Sequence, residues 1–104
     1  MTTFDDRANA FENKFAHDAD MQFRAEARRN KLLGLWAADM IGKTGDEAAA
    51  YAREVVAAQF EAAGSEGVIK KVVTDLGGRA TADEVRGKQG LLLAEAKAQL
   101  LTEI

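Results

Sequence analysis

The chain contains no cysteine and no proline, and only one serine, one histidine, one tryptophan and one tyrosine among its 104 residues. The absence of cysteine excludes disulfides, thiolate nucleophiles and thiolate metal sites together. Without proline, helical stretches face no obligatory break. The single serine, Ser65, sits at a helix-start signal and the single histidine, His17, in a charged segment, so no nucleophile–base pair and no metal-ligand set is visible. No eighteen apolar residues follow one another, which excludes a membrane-spanning helix, and the opening segment lacks the apolar core of a secretion signal. A soluble, cytoplasmic-type chain without enzymatic activity, cofactor or metal is therefore expected. Basic side chains cluster only at Arg24, Arg28, Arg29 and Lys31, where Glu26 dilutes them and aromatics do not interleave, so nucleic acid is not an expected partner.

What the chain does have is alanine and regularly spaced joints. Hydrophobic residues make up 47% of it, but only 7% are aromatic, which implies a thin core built from strong helix formers. Glycines gather at 42–45, 64–67 and 77–78. Each joint precedes a helix-start signal: Thr44 with Glu47 and Thr81 with Glu84 match the capping box, and Ser65 is a less complete cap. The reading is an all-α four-helix bundle with helices over 46–63, 66–76 and 82–103, preceded by a long helical stretch over 4–41. Val68, Ile69, Val72, Val73 and Leu76 have the β-branched character of a strand, but their spacing is helical. In the last helix Val85, Leu92, Leu93, Ala96, Leu100 and Ile104 form the buried set, while Gly87 and Gly90 each cost about 1 kcal/mol relative to alanine and loosen its first half.

The long first stretch carries an anomaly. At 100° per residue, Phe4, Ala8, Phe11 and Phe15 fall in one narrow arc, whereas Met21, Ala25, Leu32 and Trp36 fall in an arc turned by roughly a quarter circle. A single helix over 4–41 would also run about 57 Å, longer than a domain of this size. Residues 19–104 are therefore expected to form the bundle, and residues 1–18 an arm, helical or disordered, whose apolar stripe has no obvious partner within the chain. Three phenylalanines edged by Asp5, Asp6, Arg7, Glu12 and Lys14 suit insertion of a helix into a groove of another protein. The alternative, that the segment folds back and completes the core, is equally open at this point.

Other motifs carry less chemistry. Gly42, Lys43 and Thr44 imitate the end of a phosphate-binding loop, but Ala37 stands where the motif requires its first glycine, and a helix rather than a strand precedes it. What remains is a weak anion site for ATP or ADP at a helix N-terminus. It defines a second functional reading, a nucleotide-responsive helical binding module without inhibitory activity. His17, between the carboxylates of its neighbourhood, is a candidate pH sensor for the arm, with a solvated surface histidine as the simpler reading. Arg24, Arg28 and Arg29 read as the polar face of a helix or as a secondary docking patch for an acidic partner.

The order of several segments resembles a known family. Thr2-Thr3-Phe4-Asp5-Asp6-Arg7, Ala10-Phe11-Glu12, Lys14-Phe15-Ala16-His17-Asp18 and above all residues 25–38, from Ala25-Glu26-Ala27-Arg28-Arg29-Asn30 to Leu35-Trp36-Ala37-Ala38, resemble the zeta subunit of alphaproteobacterial F-type ATP synthase. Tyr51-Ala52-Arg53-Glu54-Val55-Val56 and Val72-Val73-Thr74-Asp75-Leu76 fit it as well. The resemblance implies a four-helix bundle with an N-terminal inhibitory arm that inserts into the catalytic head and blocks ATP hydrolysis. It assigns partner contact to Phe4, Arg7, Ala8, Phe11, Lys14 and Phe15, and names the alpha, beta and gamma subunits as the surfaces met. It also implies a cytoplasmic location, peripheral to the inner membrane through the synthase. The glycine-rich segment after Leu76, with Gly77, Gly78, Gly87 and Gly90, departs from the family pattern, which bears on the position and order of the last helix rather than on the arm.

Overall fold

A computed structural model describes residues 18–61 and 63–103. Four helices follow in order: α1 (Ala19–Met40), α2 (Gly45–Ala58), α3 (Gly64–Leu76) and α4 (Ala82–Glu103). The all-α four-helix expectation holds, and no strand occurs among the described residues. α1 is the spine. It packs most extensively against α2 and α4, and α3 closes the bundle against both of these and, more lightly, against α1 itself.

The core forms where apolar side chains at helical spacing meet. Leu33, Val55, Val68, Val72, Leu76 and Val85 are sealed from solvent, and Leu32, Trp36 and Val73 flank them half-buried. Burying each such side chain is worth about 1.5–3 kcal/mol. The buried line of α1 passes through Met21, Ala25, Leu33 and Ala37 rather than through Leu32 and Trp36, because the helix is covered on two sides, by α2 and by α4. Close approach of α1 to α2 depends on Gly34, where a Cβ would stand 2.6 Å from the Ala52 Cα. α3 is helical as its spacing predicts, with Val68, Ile69, Val72 and Leu76 on its buried face.

A second, smaller cluster lies apart from this core. Met21 and Ala25 near the start of α1 meet Leu100 near the end of α4, with Leu93 and Leu101 half-buried beside them. The start of α1 is thus held by α4 through a satellite contact.

Two helix boundaries differ from the sequence expectation by more than one residue. α2 ends at Ala58 instead of 63, since the N–H groups of Gln59, Phe60 and Glu61 turn to the carbonyls three residues back, at Val56, Ala57 and Ala58, and tighten the chain out of the α-helical ladder. α3 begins at Gly64, which places Ser65 inside its first turn, without a capping hydrogen bond from its side chain. The Thr81–Glu84 box forms in full: the Glu84 N–H donates to Thr81 Oγ1 at 3.1 Å and the Thr81 N–H to Glu84 Oε1 at 3.2 Å. Its counterpart at Thr44 does not. Gly45 there takes a left-handed φ of +54°, and the Glu47 N–H bonds the Thr44 carbonyl at 3.1 Å instead of the hydroxyl. α4 runs unbroken through Gly87 and Gly90 and buries Val85, Leu92, Ala96 and Leu100, with Leu93 half-buried; Ile104 lies outside the described residues.

Candidate functional site

The arm residues singled out by the sequence, Phe4, Arg7, Ala8, Phe11, Lys14 and Phe15, lie outside the described residues, as does His17. Asp18 has extended backbone, φ −115° and ψ 99°, and its Oδ1 accepts the N–H groups of Asp20 and Met21 at 3.1 Å each. This is a genuine N-cap, so α1 starts at Ala19 and does not continue a helix running through Asp18.

The first turns of α1 border a groove of about 420 Å³ at the end of the bundle where α1 starts and α2 and α4 finish. Phe23, Ala27, Val56 and Leu100 supply its apolar wall. Arg24, Arg28, Lys31 and Glu103 form the rim. Phe23 of that wall meets Phe60 with ring centroids 5.7 Å apart and planes tilted by 42°, and both are large apolar groups left exposed, 49% and 62% respectively. Such a pair gains from ring contact yet leaves much of both rings to water. Neither ring stood out in the sequence, because Phe23 lies between Gln22 and Arg24 on a polar stretch and Phe60 at a helix end; the signal was that each apolar ring breaks a polar run.

The three arginines do not share a surface. Arg24 is exposed and pairs with Asp20 one turn earlier, Nε to Oδ2 at 3.1 Å. Arg28 reaches α4, where Nη1 donates to Glu103 Oε1 at 3.0 Å and to Gln99 Oε1 at 2.9 Å, and Nη2 to Glu103 Oε2 at 2.9 Å. This bidentate clamp holds the first half of α1 onto the end of α4. Arg29 turns inward. It is 7% exposed, its Nε donates to Asn30 Oδ1 at 3.1 Å, and burial pulls its pKa down while Glu26 partly opposes the shift. A fully buried Asn30 then donates to Gln59 Oε1 at 2.9 Å, and Gln59 to Glu26 Oε2 at 3.3 Å, which ties the end of α2 to α1.

At the α1–α2 joint, the N–H groups of Gly42 and Lys43 bond to the carbonyls of Asp39 and Ala38, closing the end of α1. They are engaged as a helix cap, and Asp46 and Glu47 place two carboxylates in the first turn of α2 beside Thr44. Between α2 and α3, Tyr51 donates to Asp75 Oδ2 at 2.9 Å, and Lys71 donates to the same oxygen at 3.0 Å while approaching Glu54 at 3.7 Å. Burial first, then the Asp75 hydrogen bond and the nearby carboxylates, raise the Tyr51 pKa far above its ordinary range. Among the described residues no metal-holding group of acidic or histidine side chains converges, and no helix is long and apolar enough to cross a membrane.

A family model described as ATPase inhibitor subunit zeta matches residues 1–99. The chain belongs to the ATPase inhibitor subunit zeta family. The chain is similar in fold and sequence to a protein solved by solution NMR, with a TM-score of 0.74 and 61% sequence identity over 81% of this chain and 99% of that one. No curated protein matches. The zeta match takes in residues 1–17, the capped start of α1 and the α1 and α2 sides of the groove, while Leu100 and Glu103 lie beyond it, and the sequence resemblance and the family match agree.

Proposed function

We propose that this zeta-family chain is a regulatory inhibitor of F-type ATP synthase, and that residues 1–18 are its inhibitory arm, docking into the catalytic head while residues 19–104 remain outside as an anchor. The observation that carries the reading is the extent of the family match, which begins at residue 1 and takes in the whole Phe4–Phe11–Phe15 stripe. The Asp18 cap supports the division, because it starts α1 independently of what precedes it. The mechanism is a wedge. A helix that forms on docking buries its apolar stripe between a catalytic and a non-catalytic subunit or against the rotor stalk, and an interface so filled cannot cycle between open and closed states. Arg7 and Lys14 orient the wedge at its rim. Fully covering three phenylalanines is worth about 2 kcal/mol each, from which the cost of ordering the segment is subtracted. Location follows from the partner: the chain sits at the inner membrane's cytoplasmic side through the synthase.

The test replaces Phe4, Phe11 and Phe15 together by serine and measures ATP hydrolysis by the cognate synthase against added chain. The reading predicts that inhibition is lost while the circular dichroism of the bundle stays unchanged. Equal inhibition by the parent and the triple variant would remove the stripe from the mechanism.

A further inference from the structure

Among the described residues three large apolar side chains are exposed, Phe23, Phe60 and Leu91. Leu91 sits in the middle of α4, and single apolar groups of this kind are ordinary on protein surfaces. Phe23 and Phe60 differ, because they come from the start of α1 and the turn after α2 and meet ring to ring. Phe23 also continues into the groove wall beside the half-buried Ala27 and Val56, so the exposed apolar surface is contiguous. A contiguous apolar patch with a polar rim marks a site of protein contact. Two of its rim cations are already engaged within the chain: Arg24 pairs with Asp20 at 3.1 Å and Arg28 with Glu103 at 2.9 Å. Contact here is therefore carried by apolar cover rather than by charge.

Connectivity selects the surface that this patch meets. Under the reading above, Phe15 engages the catalytic head. Asp18 follows three residues later, so the two Cα atoms lie at most about 11 Å apart whatever course the chain takes between them. Phe23 comes five residues after Asp18, about 7.5 Å along α1. The patch thus stays within about 20 Å of Phe15. It lies at the end of the bundle where α1 starts and α2 and α4 finish, and that end cannot stand clear of the head while the arm is engaged.

We propose that the Phe23–Phe60 patch is the bundle's own contact with the synthase, seated on an apolar, uncharged surface of the catalytic head beside the entry point of the arm. The proposal rests on the reading of residues 1–18 as the inhibitory arm, and it names the surface by which the rest of the chain acts as anchor. Arm and patch are two contacts joined by a short connection, so each holds the other at high effective concentration and the affinity of the whole exceeds that of either part. The patch supplies residence and the arm supplies inhibition.

The experiment uses the full chain and the cognate synthase. Phe23→Ser with Phe60→Ser should raise the concentration needed for half-inhibition of ATP hydrolysis at least tenfold, with the same maximal inhibition and unchanged circular dichroism. Phe60→Ser alone, in a turn outside the helices, should raise it about threefold, which keeps the test decisive if the pair unsettles α1. Leu91→Ser is the control and should behave as the parent. Unchanged half-inhibition by the folded patch variants, or equal weakening by Leu91→Ser, would overturn the proposal. A second arm of the experiment uses the chain with Phe4, Phe11 and Phe15 replaced by serine. It should compete with the parent for the synthase without inhibiting, keep competing in high salt, and stop competing when Phe23→Ser and Phe60→Ser are added. Competition that is absent, or that salt abolishes, would also overturn the patch. Inhibition by the parent that ignores the patch sinks the anchor and leaves the wedge standing, whereas patch-dependent binding without inhibition by the parent does the opposite.

Discussion

Gly34 of α1 lies directly against Ala52 of α2, so close that a Cβ on the glycine would fall 2.6 Å from the Ala52 Cα and 3.3 Å from the Val55 Cβ. The obstacle is backbone, which cannot rotate aside. Gly34→Ala is therefore expected to push α1 and α2 apart, at a cost of about 1–3 kcal/mol for overpacking, which exceeds the gain of about 1 kcal/mol from better helix propensity. Gly87 and Gly90 in α4 have open space where a Cβ would go, and Gly87→Ala and Gly90→Ala should each stabilise by about 1 kcal/mol. Urea midpoints moving in opposite directions would check the contrast.

Asn30 is the buried polar joint between α1 and α2. Asn30→Ala removes the acceptor of Arg29 Nε and the donor to Gln59 Oε1 at once, leaving an interior guanidinium short of a partner. A loss of about 1–3 kcal/mol is expected by chemical denaturation. A variant as stable as the parent would show that water replaces the amide without cost.

Tyr51 is the only tyrosine, so phenolate absorbance reports it alone. Its pKa is raised by burial, by the hydrogen bond to Asp75 and by the charges of Asp75 and Glu54. The folded state therefore holds the phenolic proton more tightly than the unfolded state. The stability this confers is complete below the ordinary tyrosine pKa of about 10 and falls as pH rises above it. Phenolate should appear only as the bundle unfolds at alkaline pH, and Tyr51→Phe should flatten the alkaline slope of stability. Phenolate forming at the ordinary pH in a folded chain would contradict the assignment.

At the acid end the Arg28–Glu103 clamp gives the opposite sign. Hydrogen bonds from Arg28, reinforced by its charge, lower the Glu103 pKa despite some opposing desolvation. The contribution is present above the ordinary glutamate pKa of about 4.3 and is lost as pH falls through the depressed value. Glu103→Gln should reduce the acid dependence of stability, read by denaturation at successive pH values. Amides at the start of α1 should also exchange faster in this variant, since the clamp holds that end to α4.

Much of this fold was legible in residue spacing. The period of Val68, Ile69, Val72 and Leu76 overrode their strand propensity, and the Thr81–Glu84 box marked the start of α4 to the residue. Where spacing was silent, local rules misled. Thr44 and Glu47 carry the same capping pattern, but the left-handed Gly45 between them sends the amide to a carbonyl, and alanines at 62 and 63 read as helix although the ladder had already tightened at Gln59. The groove was not legible at all. It arises from Phe23, Val56 and Leu100, which are far apart in sequence and meet only because α1 begins where α2 and α4 end. Likewise Arg24, Arg28 and Arg29 are neighbours in sequence but point to solvent, to α4 and to the interior, as helical rotation requires.

The central claim, that inhibition resides in the segment before Asp18, is tested most directly by removing residues 1–17 and measuring ATP hydrolysis by the cognate synthase with the shortened and the full chain. Retaining Asp18 keeps the cap of α1, so the bundle is expected to fold with unchanged helicity. The account predicts inhibition by the full chain and none by the shortened one at any concentration tested. Equal inhibition by a folded, shortened chain would contradict it and move the inhibitory surface onto the bundle itself.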